Sequence, residues 1–599
     1  MYASQGGKAM QNYYIKNMEK RLTDEERKLL KAIYAPRVVA VPLSDCGRSM
    51  CVTPDGEIRL YGSINKKEPE DIGTQAYLSS TDCGLSWKMH LVKNAHQLGS
   101  AGYNPKTGRY ITAHPSVYRP DKDKAIGKEG TWAIINDEGF DSENSRYVKI
   151  SDKTFHILKN PQYEEKYNRW FIIGHYNNES WTDCKVVVCT SDDDGESWVA
   201  NIIEQSAPKF EVKPPHKGLR WQQYSCEPAI AEVGDGEFIM IVRTSQDYHY
   251  MYTSHDGGLS WGEMQRTNFH GTITMPVLCN LSDGRIVFFW CNTEPMPELD
   301  HTKAVPPLDD DIINGIWEDV FTNRDANHLA ISEDNGKTWI GMRELFLNAI
   351  RNNADFRSIG GADSRDKSIH QAQMIELPMN KLLVCFGQND VARKAAILDI
   401  DWLYEKERHE DFKFGLQGVS TQMYIKSNLG SYRGFSGHCA YNRTNGALLV
   451  RDPDGNFEEA LQICRVDDSR LAYQRQGAVW NFPTAKKGRV SIKLRVLNCG
   501  VNIALTDHWY NPSDENVANG AHVFYEFGKV NKSDWDTVTI EFDTVAMRAE
   551  VFVNGESTAK MGIDKPCPNG ISYLHLQTAA AGNDFEGTLI KRLDMSQTD

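Results

Sequence analysis

The chain has 599 residues, of which 40% are hydrophobic and 25% charged, and its formal net charge is −14. This globular composition excludes a collagen, a coiled coil or a disordered chain. The acidic balance argues against a nucleic-acid partner, because phosphate contacts need a basic surface. No run of about 18 apolar residues occurs, so we expect no membrane partner.

The N-terminal sequence MYASQGGKAMQNYYIKNMEKRL is polar and lacks the apolar stretch of a secretory signal. We therefore expect a cytoplasmic protein, or an extracellular one if a signal has been removed. The 13 cysteines are scattered and form no CxxC pair. Such cysteines are typical of buried free thiols in a reducing compartment rather than of a disulfide scaffold.

The first predicted element is an N-terminal helical segment, which we assign to residues 1–34. The sequence NMEKRLTDEERKLLKAI at 17–33 is amphipathic and carries many charge pairs at helical spacing. We expect it to pack against the outside of the domain that follows.

One eight-residue pattern, Ser-x-Asp-x-Gly-x-(Ser/Thr)-Trp, then recurs four times. Its copies are STDCGLSW at 80–87, SDDDGESW at 191–198, SHDGGLSW at 254–261 and SEDNGKTW at 332–339. Asp and Gly favour a tight turn in which the carboxylate accepts backbone N–H groups. Each copy follows an alternating strand, so the pattern predicts a hairpin turn that the tryptophan anchors to a core.

A second repeat, an apolar strand, a turn and another apolar strand, occurs six times. The copies begin near residues 49, 100, 160, 228, 276 and 372. Each hairpin can pair with two further strands, so the first 400 residues predict a six-bladed β-propeller, assigned to 35–404.

The pattern changes near residue 405, where YEKERHEDFKFG reads as a charged connector. Short strands with polar breaks follow, so we predict an accessory β-sandwich over 412–599 and an all-β fold class for the whole chain. The hairpin WDTVTIEFDTVAMRAEVFVNGE resembles those of laminin-G and concanavalin-like sandwiches, which are lectin-like domains.

The four Ser-x-Asp-x-Gly-x-(Ser/Thr)-Trp turns are similar to the Asp boxes, or BNR repeats, of the sialidase (neuraminidase) superfamily. The chain up to about residue 404 resembles the catalytic propeller of that superfamily, in divergent form. Asp boxes are structural and also occur in proteins that are not enzymes, so function has to be argued from the residues at the centre of the ring.

Three arginines bind the substrate carboxylate in sialidases, since a guanidinium matches a carboxylate bidentately. The resemblance implies Arg48, before the first hairpin, and Arg243, at the end of the fourth, as the first two. Arg324, in FTNRDANH, is the candidate for the third. Glu227 stands where the family has its glutamate at the start of the same blade as Arg243.

The general acid of sialidases lies between the first arginine and the first Asp box. The resemblance implies Asp71 for this role, with Glu68 and Glu70 as neighbouring alternatives. A loop carboxylate of this kind can supply a proton to the leaving sugar oxygen.

The sixth hairpin departs from the family, because His370 and Gln371 stand where sialidases have the tyrosine nucleophile. Three possibilities remain open. Another tyrosine (Tyr224, Tyr248 or Tyr250) serves, His370 acts as general base on water, or His370 removes a proton alpha to a carboxylate. The last would make a lyase.

Further polar residues should point toward the same centre and bind an acidic sugar. These candidates are His175, Tyr176 and Glu179, then His249, and finally His328 near Arg324. No set of His, Asp or Glu has the spacing of a known metal site, so we expect no required metal and no cofactor.

Three functions follow from these residues. The first is an exo-acting glycoside hydrolase that releases a terminal carboxylated sugar, of sialic acid or uronate type, from an oligosaccharide or glycan. The second is a polysaccharide lyase that acts on a uronate with a histidine base. The third is a non-catalytic carbohydrate-binding propeller. A homo-oligomer is compatible with all three.

Overall fold

The computed structural model describes residues 6–44, 46–47, 49–67, 73–92, 101–115, 130–139, 144–177, 184–208, 210–211, 225–271, 274–294, 324, 326–346, 369–388, 392–424, 443–455, 457–528 and 534–598. Two helices open the chain, α1 (Gly6–Arg21) and α2 (Asp24–Ala32). A capping box of Thr23 and Glu26 begins α2, with each side chain bonded to the backbone of the other. No helix in the described part of the chain is long and apolar enough to cross a membrane.

Six four-stranded antiparallel sheets follow among the described residues, as the six hairpins predict. The first two sheets are β2 (Met50–Val52), β3 (Ile58–Ile64), β4 (Thr74–Ser80) and β5 (Lys88–Leu91), then β6 (Gly102–Tyr103), β7 (Tyr110–Pro115), β8 (Thr131–Asn136) and β9 (Ser145–Ser151). The third is β10 (Gln162–Glu164), β11 (Arg169–Asn177), β12 (Cys184–Ser191) and β13 (Val199–Ile202).

The fourth sheet holds β14 (Ser225–Glu232), β15 (Phe238–Thr244), β16 (Tyr248–Ser254) and β17 (Gln265–His270). The fifth holds β18 (Val277–Asn280), β19 (Ile286–Trp290), β20 (Asn327–Ser332) and β21 (Ile340–Phe346). The sixth joins the two ends of this region: β1 (Arg37–Ala40) pairs with β24 (Lys394–Asp399), beside β23 (Lys381–Phe386) and β22 (Gln373–Leu377). A 3₁₀ helix, Ile400–Tyr404, follows β24.

Each sheet shares an apolar core with the next, and the sixth shares one with the first. Ile58 of β3 and Leu383 of β23 belong to one such core, as do Ile241 of β15 and Phe288 of β19. A cavity of about 350 Å³ is lined by residues of β2, β6, β10, β14, β18 and β22, the first strand of each hairpin, and by Tyr14 of α1. Six sheets around one cavity are what a six-bladed propeller requires, and the propeller remains our interpretation of them.

The C-terminal region forms two packed sheets, as predicted. The larger contains β25 (Glu407–Glu410), β29 (Leu448–Arg451), β30 (Glu459–Arg465), β32 (Lys487–Val496), β35 (Asp536–Asp543), β36 (Arg548–Val553), β37 (Glu556–Gly562) and β39 (Asp584–Gln597). The smaller contains β26 (Val419–Ser420), β31 (Gly477–Ala485), β33 (Val501–Thr506), β34 (Val523–Phe527) and β38 (Ile571–Thr578). A short helix, α3 (Val517–Gly520), and the pair β27 (Met423–Tyr424) and β28 (Arg443–Thr444) complete it.

One core holds the two C-terminal sheets together. Ile492 and Ile540 of the larger sheet lie in the same buried cluster as Trp480 and Ile503 of the smaller. Buried residues alternate with half-buried or exposed ones along β32, so one face of the strand belongs to this core, because successive side chains of a strand face opposite ways. The all-β class and the sandwich are therefore confirmed, and β25 lies within the segment predicted to be a charged connector.

The twelve cysteines in the described part of the chain form no disulfide, and all except Cys499 are buried. This arrangement agrees with the free thiols that the sequence predicts.

Candidate functional site

Glu227 and Arg243 form a buried ion pair at the start of the fourth sheet. Arg243 Nη1 lies 2.7 Å from Glu227 Oε2, and the two residues are only 5% and 7% exposed. The pairing of Cys226 with Arg243 between β14 and β15 brings them together, because it sets Glu227 beside the strand that ends in the arginine. The predicted proximity of these two residues is thus present in the structure.

The backbone at the predicted catalytic positions is strained. Glu227 has a φ of 45° at a register shift in β14, and Gln371 has a φ of 65° just before β22. Left-handed conformations are unfavourable for residues other than glycine and often accompany functional sites. Both residues stand at the beginning of the first strand of a hairpin, so the strain recurs at equivalent places in two sheets.

Arg324 and His370 form a second buried pair. Arg324 Nη1 lies 3.1 Å from His370 Nε2, and the backbone N–H of Ile369 donates to the carbonyl of Arg324 at 2.9 Å. Since arginine can only donate, Nε2 must present its lone pair to the guanidinium. The backbone N–H of Met275 also points at His370, 3.4 Å from Nδ1, but a neutral imidazole accepts at only one nitrogen, and the shorter contact is the one with Arg324. This geometry makes His370 a support for Arg324 and leaves Nε2 poorly placed to take a proton from a substrate.

The charges of this region act together on Glu227. Burial opposes ionisation of its carboxyl, but Arg243, and more weakly Arg324, hold its pKa below the usual range. Glu227 is therefore a carboxylate at neutral pH. Burial also lowers the pKa of His175 to about 3, so His175 is a neutral imidazole beside this ion pair.

Lys159 is a site residue that the sequence analysis missed. Burial lowers its pKa to about 7, while Glu227 acts in the opposite direction. Its Nζ donates to the carbonyl of Pro276 at 2.9 Å, and its side chain lines the central cavity. The signal available in the sequence was a lone lysine before the third hairpin, in HILKNPQY, where the first strand of the sheet begins.

His175 and Tyr176 face opposite sides of β11. His175 stacks on His156 with ring centroids 5.1 Å apart and lies on the side of Glu227. Tyr176 packs edge-on against Phe155, and Lys153 lies over its ring. The structure therefore brings His175 to the Glu227–Arg243 pair, whereas Tyr176 belongs to a neighbouring core.

His249 and His328 are buried, and both are hydrogen-bonded to other parts of the protein. His249 Nδ1 lies 3.1 Å from the carbonyl of Val242, and its Nε2 packs on Gly271, where a Cβ would come within 2.5 Å. His328 accepts from the N–H of Asn292 at 3.1 Å and bonds to the Tyr573 hydroxyl of the C-terminal sandwich. Both are expected from the sequence to bind substrate, and in the structure each is hydrogen-bonded within the protein.

Several predicted residues lie outside the described residues. These are Arg48, Asp71, its alternatives Glu68 and Glu70, Tyr224 and Glu179. Among the tyrosines proposed as substitute nucleophiles, Tyr248 packs against His270 with ring centroids 4.5 Å apart and the planes tilted by 37°, and Arg266 lies over the tyrosine ring. Tyr250 pairs with Arg266 across the strands and packs with Tyr252 and Val242 in a core.

One group of residues near the site has three possible metal-binding atoms close together. His175, Cys184 and Cys226 each place one such atom within 4.8 Å of the others. Burial raises the pKa of the Cys226 thiol well above its usual range, and its contact with Cys184 raises it further. Metals bind the thiolate form, so these two cysteines are better described as inert core thiols.

Comparison with known families agrees with the repeat pattern. Residues 130–349 match the model of the BNR repeat-like domain. That match covers somewhat more than a third of the chain and includes three of the four Asp-box turns. No curated protein matches the chain.

Solved structures were compared as well. Trypanosoma rangeli sialidase is 12% identical, with 94% of each chain covered and a TM-score of 0.36. The same sialidase in complex with sialic acid gives a TM-score of 0.35. A protein of unknown function from Dyadobacter fermentans is 14% identical, with 61% of this chain and 98% of that chain covered and a TM-score of 0.36. These values by themselves indicate no shared activity.

The predicted resemblance to Asp-box proteins of the sialidase superfamily is therefore confirmed at the level of the repeat, and the chain contains a BNR repeat-like domain.

Proposed function

We propose that this protein is an exo-acting glycoside hydrolase that releases a terminal carboxylated sugar from an oligosaccharide. The observation that carries the proposal is the buried group of Arg243, Arg324, Glu227 and Lys159. Glu227 and Lys159 lie at the starts of the first strands of their sheets, Arg243 lies at the end of β15, and Arg324 precedes β20. Two guanidinium groups and a lysine with a pKa of about 7 suit an anionic ligand.

Glu227 is the residue we assign to the activation of water. Its ion pair with Arg243 keeps it ionised, which a general base requires. A water molecule activated in this way would attack the anomeric carbon directly, with inversion of configuration. We keep Asp71, which precedes β4 in the sequence, as the proposed acid that protonates the leaving oxygen.

His370 has a different role in this proposal from the one expected of a base. Because its Nε2 faces Arg324, it orients that guanidinium toward the substrate carboxylate. A lyase that depends on His370 as base is accordingly the less favoured reaction. The cytoplasmic location and the absence of nucleic-acid partners also remain part of the proposal.

A panel of glycosides with a terminal sialic acid, a related keto-deoxy sugar or a hexuronate tests this function. Proton NMR of the released sugar identifies the first anomer, and near-ultraviolet absorbance detects the double bond of a lyase product. Arg243→Lys keeps the charge but loses the planar fork, so kcat/KM should fall about 100-fold. Arg169→Lys is the matched control, because Arg169 is 8% exposed and bonds Asp192 and the carbonyl of Gly257 outside the site.

Release of a saturated sugar that Arg243→Lys loses and Arg169→Lys keeps would support the hydrolase. A product that absorbs in the near ultraviolet would replace it with a lyase. Binding without turnover across the panel would replace it with a carbohydrate-binding propeller.

A further inference from the structure

Three histidines and two carboxylates meet where the fourth and fifth sheets contact the C-terminal sandwich. This interface cluster consists of His270 at the end of β17, Glu294 after β19, Asp507 and His508 after β33, and His522 before β34. His270, His508 and His522 are 6%, 2% and 7% exposed. The cluster lies outside the proposed sugar site and takes no part in the mechanism above.

Three donor atoms of the cluster have the spacing of ligands on one ion. Glu294 Oε1 lies 3.3 Å from His270 Nδ1 and 3.4 Å from His508 Nε2, and all three atoms lie within 4.8 Å of one another. Ligands about 2.0–2.1 Å from a tetrahedral Zn²⁺ stand about 3.3–3.4 Å apart. Two imidazoles and one carboxylate are also a common donor set for that ion.

Asp507 stands where a carboxylate would hydrogen-bond to the metal-binding histidines without binding the metal itself. Its Oδ1 lies 2.6 Å from His508 Nδ1 and its Oδ2 lies 3.3 Å from His270 Nε2, the ring nitrogens that do not face Glu294. Metal-binding histidines usually give their second N–H to such a carboxylate, which fixes the tautomer and makes the ligating nitrogen more basic. His522 Nε2 also lies 3.3 Å from Asp507 Oδ2.

The two ring nitrogens proposed as ligands lack well-formed hydrogen bonds within the protein. His270 Nδ1 and His508 Nε2 are buried, and neither makes a hydrogen bond of normal geometry. A buried polar atom left in this state costs free energy, which a bound cation would remove. The two rings are stacked with centroids 3.7 Å apart and an interplanar angle of 21°. Binding therefore has to rotate them until both lone pairs point at the ion.

We propose that His270, Glu294 and His508 bind one divalent ion of the Zn²⁺ class. This ion joins the C-terminal sandwich to the BNR repeat region, by which we mean the six four-stranded sheets that precede it. His270 and Glu294 come from the fourth and fifth sheets, and His508 comes from the sandwich, so the ion is a clamp between the two regions. No metal is expected from the sequence alone, because these residues are far apart in the chain and match no metal-binding motif with characteristic ligand spacing. The competing interpretation is a metal-free ring of two imidazolium and two carboxylate groups.

The test uses the full-length chain after treatment with a chelator. Zn²⁺ binding is measured by titration calorimetry and elemental analysis, and Co²⁺ is used as a spectroscopic probe of tetrahedral coordination. We expect about one equivalent of Zn²⁺, a visible Co²⁺ band and a higher melting temperature with Zn²⁺. Glu294→Gln and His508→Gln should weaken binding at least about 100-fold.

His409→Gln is the matched control, because His409 is 57% exposed at its side chain and pairs with Asp594 elsewhere in the sandwich. It should bind Zn²⁺ like the wild type. Circular dichroism establishes that each variant is folded, and Glu294→Gln, which preserves shape, decides the matter if His508→Gln does not fold. The proposal is overturned if the wild type binds no ion, or if folded Glu294→Gln binds as tightly as the wild type.

Discussion

Charge at single residues governs the proposed sugar site. Glu227 is fixed as a carboxylate by Arg243, whereas Lys159 loses its proton near neutral pH because it is buried. Both pKa values are lowered, but for different reasons. Arg243 stabilises the charged form of Glu227 against the effect of burial, whereas burial disfavours the charged form of Lys159. Two residues therefore set how the site responds to pH.

Glu227→Gln should abolish turnover while sparing the fold. The amide keeps the shape of the side chain but cannot accept a proton, so kcat should fall by at least about 100-fold. It also replaces the charged acceptor of Arg243 with a neutral amide oxygen, so the 2.7 Å contact weakens and the free energy of unfolding should fall by about 1–3 kcal/mol. Steady-state kinetics and urea unfolding measure the two effects, and a variant with full kcat would remove Glu227 from the mechanism.

Lys159→Met should change the pH dependence of both stability and KM. The lysine of the folded protein has a pKa of about 7, below its value in the unfolded chain, so the unfolded state binds more protons between about pH 7 and 10. Wild-type stability should therefore rise with pH in this window, by up to about 1.4 kcal/mol per pH unit relative to the variant. KM of the wild type should also rise above pH 7 as the cation is lost.

Urea unfolding at several pH values and the pH profile of KM test this expectation. Lys153→Met serves as the control, because Lys153 lies over the ring of Tyr176 away from Glu227. Parallel stability curves for the wild type and Lys159→Met would contradict the assigned pKa.

At the scale of the element, the four repeated turns explain how neighbouring sheets pack against each other. In the first, Asp82 Oδ1 accepts from the Ser80 hydroxyl at 2.7 Å and from the N–H of Ser86 at 3.0 Å, and Trp87 Nε1 donates to the carbonyl of Gly84 at 3.0 Å. The same bonds to the aspartate recur in the other three turns.

The glycine of each turn is required by contact as well as by conformation. Gly84 has a φ of 89°, and a Cβ there would meet Ile397 of the neighbouring sheet at 3.3 Å. A Cβ on Gly195 would meet Ile111 at 2.5 Å, and one on Gly258 would meet Phe171 at 2.7 Å. Each of these turns thus packs against the preceding sheet around the ring, so the repeat stabilises the contact between neighbouring sheets.

Asp82→Ala should lower the free energy of unfolding by about 1–3 kcal/mol, since it leaves the buried N–H and hydroxyl groups of one turn without their acceptor. Thr81→Ala changes an exposed neighbour in the same turn and should stay within about 0.5 kcal/mol of the wild type. Denaturant unfolding compares the two variants. Equal stability would show that the carboxylate adds nothing to the turn.

At the scale of the whole molecule, buried polar contacts join the BNR repeat region to the sandwich. The Tyr573 hydroxyl donates to Glu344 Oε1 at 2.8 Å and contacts His328. Asn481 Oδ1 accepts from the backbone N–H of Glu344 at 2.9 Å, and the backbone N–H of Trp509 donates to the carbonyl of Asn292 at the same distance. Polar contacts of this kind lose their partners if the two regions separate, so we expect the regions to unfold together.

Tyr573→Phe should reduce stability by about 1–3 kcal/mol and weaken this coupling, because His328 and Glu344 lose a buried partner. Tyr525→Phe, on β34 of the same sandwich, is the control and should have a small effect. Differential scanning calorimetry should show one transition for the wild type and a broader or split one for Tyr573→Phe. An unchanged transition would assign the coupling to other contacts.

The sequence by itself determined the features that depend on local spacing. The turn motif predicts its own hydrogen bonds, and the alternation of apolar residues predicts the strands, because both involve residues only a few positions apart. Glu227 and Arg243 could also be placed together, since they belong to one hairpin and are 16 residues apart.

Tertiary structure decided the contacts between distant segments. Arg324 meets His370 across 46 residues, Lys159 enters the central cavity beside a different sheet, and His270 meets Asp507 across 237 residues. It also separated His175 from Tyr176, which the sequence analysis had grouped, because the two sides of a strand face different surroundings. No local pattern encodes these outcomes, since they depend on how the sheets pack around the cavity and against the sandwich.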